Sequence, residues 1–212
     1  MCIKAVLFDL DGVLIDTEGI YSCFWSEMDR LYPTGIEGFA DVIKGNTLSN
    51  ILTKYFPNKD NQEDIKKRLI KQENEMEYRL YDGAVSLMHG LREIGIKTAI
   101  VTSSNLKKMK HLFTVLPELE ANIDTLITDE DVTRSKPDPQ GYLLAAERLG
   151  ASKGEFVVVE DSIAGLEAGR RSGAFVLGIA TTNSREVVEK MADLTIDEIG
   201  CMTADRLSKI HV

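Results

Sequence analysis

Residues 4–17 read KAVLFDLDGVLIDT. An apolar run over residues 5–8 leads directly to two carboxylates, Asp9 and Asp11, and Gly12 then permits a sharp turn. Short apolar runs of this kind are typical of a buried parallel strand. Open α/β sheets bind ligands at the carboxyl ends of such strands. Two neighbouring aspartates repel each other unless a cation or a proton lies between them, so the pair is a candidate functional site.

The segment after this strand, residues 16–81, shows helical periodicity and almost no strand signal. Capping residues and prolines divide it into four predicted helices. The first is capped by Asp16 or Thr17 and stopped by Pro33. A short second helix ends at residues 44–45, a third runs from Asn46 or Thr47 to Pro57, and a long charged one spans about 61–80. A purely helical block placed after one strand indicates an inserted cap.

From residue 82 onward, helical and strand-like patterns alternate. Strands are predicted over residues 97–101, 125–128, 156–159, 175–180 and 194–196, with helices over 84–94, 105–116, 140–149, 162–172 and about 185–191. Parallel strands need crossover connections, so this alternation indicates a parallel sheet. The sequence therefore predicts an α/β fold: a doubly wound parallel-sheet (Rossmann-like) core, residues 1–15 plus 82–212, with an inserted α-helical cap domain, residues 16–81.

Composition narrows the classes of protein to consider. The net charge of -9 over 212 residues argues against binding to nucleic acid or to an anionic membrane. Small phosphorylated molecules remain possible, because a few lysines and a metal ion can outweigh the overall charge. No apolar run approaches the ~18 residues of a membrane span, and the strand-like start leaves no room for a signal peptide. Three scattered cysteines, Cys2, Cys23 and Cys201, favour a reduced, cytoplasmic protein. No obligate protein partner is evident.

Three later strand ends also carry polar residues. Thr102, Ser103, Ser104 and Asn105 follow the second predicted strand at the start of a helix, where free N–H groups favour anions. Lys136, held between Ser135 and Pro137, lies in the loop after the third. Glu160 and Asp161 follow the fourth.

This combination suits phosphoryl transfer. Carboxylates such as Asp9 and Asp161 can hold Mg²⁺, which prefers oxygen ligands. Lys136 and a metal would offset the charge of a phosphate and of a carboxylate nucleophile. Thr102 and the N–H groups after it can bind phosphoryl oxygens, one aspartate can attack phosphorus to give an aspartyl-phosphate, and its neighbour can handle protons.

Four segments in order resemble the motifs of haloacid dehalogenase-like phosphotransferases, and the likeness extends across nearly the whole chain. These segments are Phe8-Asp9-Leu10-Asp11-Gly12-Val13, Val101-Thr102-Ser103, Ser135-Lys136-Pro137 and Val159-Glu160-Asp161-Ser162. The beta-phosphoglucomutase-like branch, with a small helical cap after the first motif, is the most similar. The resemblance implies phosphoryl-transfer chemistry with Mg²⁺ as cofactor.

The resemblance also implies a role for each matching residue. Asp9 is expected to be the nucleophile and a metal ligand, and Asp11 the general acid/base, with its backbone carbonyl on the metal. Thr102 and Lys136 are expected to bind the phosphoryl group, and Ser103 and Asn105 to help. Asp161 is expected to ligate Mg²⁺ directly. Glu160 is expected either to ligate the metal or to contact one of its ligands. Lys44 in the cap is a further possible contact for an anionic substrate.

The cap decides between hydrolysis and mutase chemistry. True beta-phosphoglucomutases carry a cap histidine ten residues after the acid/base aspartate, where this chain has Tyr21, and an arginine where it has Leu48. We therefore predict a Mg²⁺-dependent phosphatase that hydrolyses a small phosphorylated metabolite, such as a sugar phosphate, through an aspartyl-phosphate. The alternatives are a beta-phosphoglucomutase-type mutase and a non-catalytic phosphate-binding regulator.

Several of these residues could have a purely structural role instead of a catalytic one. The aspartate pair, Lys136 and the Glu160-Asp161 pair could each serve a turn or a helix cap. A solvated or capping role is favoured for Asp129-Glu130-Asp131, and the cap core for Phe24 and Trp25. His89, His111 and His211 are expected to be surface or tail residues.

Overall fold

The computed structural model describes residues 3–210; Met1, Cys2, His211 and Val212 lie outside the described residues. Six parallel strands form one sheet in the order β3-β2-β1-β4-β5-β6. The strands are β1 Ala5–Phe8, β2 Lys97–Val101, β3 Thr125–Ile127, β4 Phe156–Glu160, β5 Phe175–Ile179 and β6 Leu194–Ile196. The predicted parallel α/β core is confirmed.

The first strand occupies the centre of the sheet. All four residues of β1 are buried, and their backbone pairs with β2 on one side and β4 on the other. From β1 the chain builds the sheet outward through β2 and β3, then returns to the other side of β1 for β4, β5 and β6. Reversal of strand order opens a crevice at the carboxyl ends of the flanking strands. Asp9 follows β1 at this point.

Helices cover the sheet and fill the segment between β1 and β2. They are α1 Glu18–Leu31, α2 Phe39–Val42, α3 Leu48–Tyr55, α4 Lys59–Glu75, α5 Ala84–Glu93, α6 Leu106–Val115, α7 Pro117–Ala121, α8 Gln140–Leu149, α9 Ile163–Ser172, α10 Arg185–Glu189 and α11 Ala204–Ser208. Side chains that alternate along the strands feed two apolar clusters: Val6 and Phe8 belong to one, Ala5 and Leu7 to the other. Within residues 3–210, no helix is long and apolar enough to cross a membrane.

Helices α1 to α4 pack around an apolar cluster of their own. Trp25 lies at its centre, with its ring stacked on Phe56 at a centroid distance of 6.4 Å and edge-on to Phe39 at 6.2 Å. Phe24 and Trp25 are both buried there, as the sequence predicts. A segment with a separate core can move as a unit relative to the sheet.

The predicted end of the fourth helix is wrong. Helix α4 stops at Glu75, because Met76 is already extended with φ -72° and ψ 147°. Met76, Tyr78 and Leu80 then pack against the apolar cluster of the sheet. Their spacing of two residues is that of an extended chain. Residues 76 and 80 are also four positions apart, which matches the spacing along one face of a helix, so the pattern alone does not distinguish the two. Leu80 forms an antiparallel bridge with Ile15. The two chain segments that connect helices α1 to α4 with the sheet, called the two crossings below, therefore lie side by side.

Smaller differences concern helix ends and short helices. Thr17 precedes α1, but its side chain makes no capping hydrogen bond; its hydroxyl donates instead to Asp11. Thr47 does cap α3, as predicted. The short helices α7 and α11 were not predicted; each has five residues, too few for helical periodicity to register.

Candidate active site

The carboxyl edge of the sheet and helices α1 to α4, which lie in the predicted cap, enclose a cavity of about 130 Å³. Most of the predicted site residues line it, from both sides. On the sheet side these are Asp9, Asp11, Thr102, Ser103, Asn105 and Asp161, and on the cap side Lys44. Lys136 and Glu160 lie beneath this surface, 7% and 0% exposed, and Lys136 contacts both Asp9 and Glu160. The structure therefore brings together residues that are up to 152 positions apart in the sequence.

Three buried carboxylates meet at the floor of the cavity. One oxygen from each of Asp9, Glu160 and Asp161 lies within 4.8 Å of the others. The Asp161 Oδ1 atom is buried and has no hydrogen-bond partner among the described residues. Burial raises the pKa of Asp161 well above its ordinary value, and the nearby Glu160 and Asp9 raise it further. A set of hard oxygen donors with one unsatisfied atom fits a divalent cation such as Mg²⁺.

Lys136 partly balances this negative charge. Its Nζ atom is 2.6 Å from Glu160 Oε1 and also contacts Asp9 Oδ1. Burial alone would lower the pKa of Lys136, but the two carboxylates outweigh burial and raise it. Burial in turn raises the pKa of Asp9 to about 8, although the Lys136 ammonium lowers it. One ammonium therefore does not keep all three carboxylates ionised at neutral pH, and a second cation would.

Glu160 is held more tightly than its neighbours. The hydroxyl of Tyr142 donates to Glu160 Oε1 at 2.7 Å, and the other oxygen, Oε2, accepts from the N–H groups of Asp161 and Ser162 at 2.9 and 3.1 Å. Burial would raise the pKa of Glu160, but Lys136 and these hydrogen bonds lower it. These contacts favour the ionised form of Glu160 beside Lys136, whereas Asp9 and Asp161 line the cavity.

The Asp11 side chain lines the cavity but binds partners other than the three carboxylates. Its oxygens accept from Thr17 Oγ1 at 2.5 Å, from Ser104 Oγ at 3.3 Å, and from Lys108 Nζ at 2.9 Å to each oxygen. Within the described residues, the carboxylate cluster does not include Asp11. The resemblance implies metal ligation by the backbone carbonyl of Asp11, not by its side chain, and that stays a prediction.

The side chains of the predicted anion site, residues 102–105, also form hydrogen bonds with other groups of the protein. Thr102 Oγ1 accepts from the backbone N–H of Ser104 at 3.0 Å. Ser103 Oγ donates to the carbonyl of Gly45 in the cap at 2.7 Å, and Asn105 Oδ1 caps helix α6 by accepting from the Lys108 N–H at 2.8 Å. These side chains line the cavity while they also position the cap and the helix.

Lys44 faces the cavity from the cap, but carboxylates already surround it. Its Nζ atom lies 2.9 Å from Asp41 and 3.4 Å from Glu18. Burial would lower the pKa of Lys44, and Asp41 and Glu18 together raise it. Lys44 therefore belongs to a local ion-pair group whose net charge is negative.

Sequence reasoning missed several polar residues of the site. Lys108 was missed although it shares a helical face with Met109 and Leu112, which are buried; a lysine on an apolar stripe is a detectable signal. Thr182 and Asn183 follow β5 at the same sheet edge, and their side chains donate to Oδ2 and to the backbone carbonyl of Asp161. A search of every strand end would have included them. Tyr142 lies within a helix and had no signal of its own.

The acidic run of residues 129–131 has more than one role. Glu130 accepts from the N–H of Leu106 at 2.9 Å, and Asp131 accepts from that of Thr128 at 3.0 Å, which agrees with the predicted capping role. Asp129 differs, because it lines the cavity. Burial, followed by a contact with Glu130, raises its pKa to about 7.

A glycine is required where the chain turns after Asp11. Gly12 has a φ of 81°, and a Cβ atom there would overlap the Asp161 carboxylate. Gly35 is a matched control, with a φ of 74° and nothing within 4 Å of the added atom. We expect Gly35→Ala to lower the free energy of unfolding by about 1 kcal/mol, and Gly12→Ala by at least about 2 kcal/mol more, because Asp161 must move. Equal losses in denaturant titrations would contradict this packing.

Comparison with known proteins gives consistent matches over most of the chain. The family model described as haloacid dehalogenase-like hydrolase matches residues 6–179. Hexitol phosphatase A of Escherichia coli (strain K12) is 33% identical over 183 residues, 83% of this chain and 82% of that protein. Validoxylamine A 7'-phosphate phosphatase of Streptomyces hygroscopicus subsp. limoneus is 28% identical over 92% of this chain and 94% of its own length.

A solved structure extends the likeness to the fold. The crystal structure of a HAD hydrolase, family IA, variant 3, from Entamoeba histolytica HM-1:IMSS superposes with a TM-score of 0.79 at 27% identity. The match covers 97% of this chain and 98% of that one. Both the sheet and the cap segment therefore have counterparts in a solved structure.

Proposed function

The chain belongs to the haloacid dehalogenase-like hydrolase family, and from that membership together with the site geometry we propose that it is a Mg²⁺-dependent phosphatase. Its proposed substrates are small phosphorylated carbohydrates, the class named in the relatives above. The observation that carries the proposal is Asp9, which faces the cavity at the end of β1 with Lys136 and two further carboxylates against it.

In the proposed first step, the Asp9 carboxylate attacks phosphorus. An Asp9 O–P bond forms, the P–O bond to the carbohydrate breaks, and Asp11 supplies a proton to the leaving oxygen. Thr102 and the N–H groups at the start of α6 bind phosphoryl oxygens, helped by Ser103 and Asn105. Lys136 holds Asp9 in place and offsets the growing negative charge.

In the second step, water attacks phosphorus and the Asp9–phosphoryl bond breaks. Asp11 accepts the proton of the water, and inorganic phosphate leaves with the Asp9 carboxylate restored. Mg²⁺ bound here would supply positive charge that offsets the repulsion between the phosphate and the Asp9 carboxylate. Asp9 and Asp161 are the proposed side-chain ligands, with the Asp11 carbonyl and Glu160 completing or supporting the set.

The cap supports hydrolysis over mutase chemistry. A mutase must hold a second phosphate group at a distance from the reacting phosphate, and this second group needs an unpaired cation of the protein. Among the described residues that line the cavity, the cations are Lys44 and Lys108, and both are already paired with carboxylates. Tyr21 and Leu48, at the positions that carry histidine and arginine in beta-phosphoglucomutases, also line the cavity and offer no positive charge.

Residues 16–81 form the proposed cap domain, closing over the site. Ser103 Oγ reaches the Gly45 carbonyl across the cavity, so the cap rests on the core in this arrangement. The proposed hinges are residues 15–17 and 81–83, where the backbone bonds Asp16 N to Arg79 O and Tyr81 N to Leu14 O tie the two crossings together. Closure would exclude bulk water from the reacting groups.

A substrate screen tests the proposal. Purified protein should release inorganic phosphate from at least one phosphorylated carbohydrate, and chelation of Mg²⁺ should abolish that release. Protein that releases no phosphate from any small phosphomonoester with Mg²⁺, yet interconverts glucose phosphates with a bisphosphate primer, would establish the mutase alternative.

The metal site gives a prediction that does not depend on activity. A ligand that binds only the folded state stabilises it by about 2.7 kcal/mol at a hundredfold excess over its dissociation constant. Mg²⁺ at that excess should therefore raise the melting temperature of the wild-type protein, and Asp161→Asn should remove most of this effect. Asp205→Asn, on the exposed face of α11, is the matched control and should keep it. If the Asp161→Asn protein responds to Mg²⁺ like the wild type, this site assignment is wrong.

A further inference from the structure

The buried lysine beside Asp11 has no role in the mechanism above. Lys108 lies on α6, its side chain is 1% exposed, and its ammonium uses all three N–H donors. Two reach the oxygens of Asp11 and the third reaches Ser104 Oγ, each at 2.9 Å. An ammonium group has no further donor to offer a substrate.

The surroundings of Lys108 extend from Asp11 into the cap. The ammonium lies 4.7 Å from the centre of the Tyr21 ring, which belongs to α1. The Tyr21 hydroxyl donates to Glu73 Oε1 on α4 at 3.1 Å. Thr17, next to one of the proposed hinges, donates to Asp11 from the other side. Core and cap therefore both hold the Asp11 carboxylate.

Stability alone does not account for a lysine at this position. A buried ion pair is worth about as much as, or less than, apolar side chains of the same volume, once the cost of removing both charges from water is counted. The other inward residues of α6, Met109 and Leu112, are apolar. What Lys108 adds is a fixed orientation of the carboxylate, through two hydrogen bonds from one rigidly placed group.

We propose that Lys108 is a positioning residue that orients Asp11 to accept the proton of the water that attacks the phosphorylated Asp9. The inference rests on the proposed phosphatase function and adds to it a residue outside the four motifs. In this step the water oxygen bonds to phosphorus, the Asp9 O–P bond breaks, and the proton passes to the Asp11 oxygen that Lys108 places toward the cavity. Without Lys108, Asp11 keeps only its hydrogen bonds from Thr17 and Ser104, its orientation is less fixed, and the step slows.

The test separates the step that needs Asp11 from one that does not. p-Nitrophenyl phosphate loses p-nitrophenolate without a proton, so its release in a single turnover, with enzyme in excess, reports the attack by Asp9 alone. Steady-state turnover also requires hydrolysis of the phosphorylated enzyme. In Lys108→Met we expect single-turnover release within about threefold of the wild type, and steady-state turnover lower by about 10- to 100-fold, part of the full contribution of an acid–base group. Intact-mass measurement should show phosphorylated protein accumulating.

Two controls keep the outcomes distinct. Lys107→Met changes the exposed neighbouring lysine and should leave both rates unchanged. Lys108→Gln keeps hydrogen-bond donors and should restore part of the steady-state rate. Each steady-state rate is divided by the concentration of folded enzyme, taken from the amplitude of its unfolding transition. A parallel fall of both rates in both Lys108 variants would mean that Lys108 serves binding or folding, and would overturn the proposal. Absence of phosphate release by the wild-type protein from p-nitrophenyl phosphate and from every phosphorylated carbohydrate would instead reject the phosphatase function itself.

Discussion

Replacement of Asp9 by asparagine is expected to lower turnover by more than about 10⁴-fold, because an amide cannot attack phosphorus. The fold should survive this change. Without a metal, burial raises the pKa of Asp9 to about 8, so the side chain is largely neutral at pH 7, as asparagine is. We therefore expect the free energy of unfolding of the Mg²⁺-free protein to change by less than about 1 kcal/mol.

The measurement is phosphate release with saturating Mg²⁺ and substrate, alongside a denaturant titration. Asp205→Asn serves as the control for the loss of one carboxylate, since Asp205 lies on the surface, paired with Lys209. Residual activity above about 0.01% of the wild type in the Asp9→Asn protein would contradict the assignment of the nucleophile. Phosphate binding that is equal in the wild-type and Asp9→Asn proteins, with no phosphate release from either, would favour the non-catalytic regulator.

Replacement of Lys136 by methionine is expected to have the largest effect on stability. Lys136 contacts both Asp9 and Glu160, and Glu160 is 0% exposed. Removal of one partner from a buried ion pair leaves an uncompensated charge and costs about 3–5 kcal/mol. Lys190→Met removes an exposed lysine paired with Glu186 and should cost less than about 1 kcal/mol. A double variant, Lys136→Met with Glu160→Gln, should recover part of the loss, because the stranded charge is gone.

The pH dependence of this loss has a definite sign. Without the ammonium, the pKa of Asp9 and that of Glu160 rise in the folded protein above their unfolded values. Carboxyl groups with a raised folded pKa contribute stability below the unfolded value, and that contribution is lost as pH rises through the folded value. The deficit of Lys136→Met should therefore be smaller at pH 5 than at pH 8. A deficit that is the same at both values, or absent, would mean that Lys136 does not offset the charge of these carboxylates.

The elements with strong local signals could be predicted from the sequence. Strands β2 and β6 and helix α8 were predicted with their observed ends, because Gly95 and Gly150 mark clear boundaries and the apolar runs are unbroken. The extended segment from Met76 to Leu80 was missed, since residues 76 and 80 fit a helical spacing as well as an extended one. Packing against the sheet, a long-range effect, decides between them.

The motif residues of the site could be predicted from the sequence, but several of the residues that contact them could not. Asp9, Lys136, Glu160 and Asp161 meet, because the carboxyl ends of adjacent parallel strands share one edge of the sheet. That Lys108 binds Asp11 could not be inferred, because α6 and the turn after β1 are 97 residues apart and no local rule relates them. Substrate choice depends on the cap side of the cavity, where side-chain directions follow from the packing around Trp25.

The claim that Asp9 carries the phosphoryl group is tested most directly by trapping it. Protein mixed with substrate and Mg²⁺, quenched in acid within a turnover and digested, should yield a phosphorylated peptide whose modified residue is Asp9. The label should pass to inorganic phosphate if the quench is delayed. A phosphoryl group on another residue, or continued phosphate release with no phosphorylated protein at any quench time, would contradict the account.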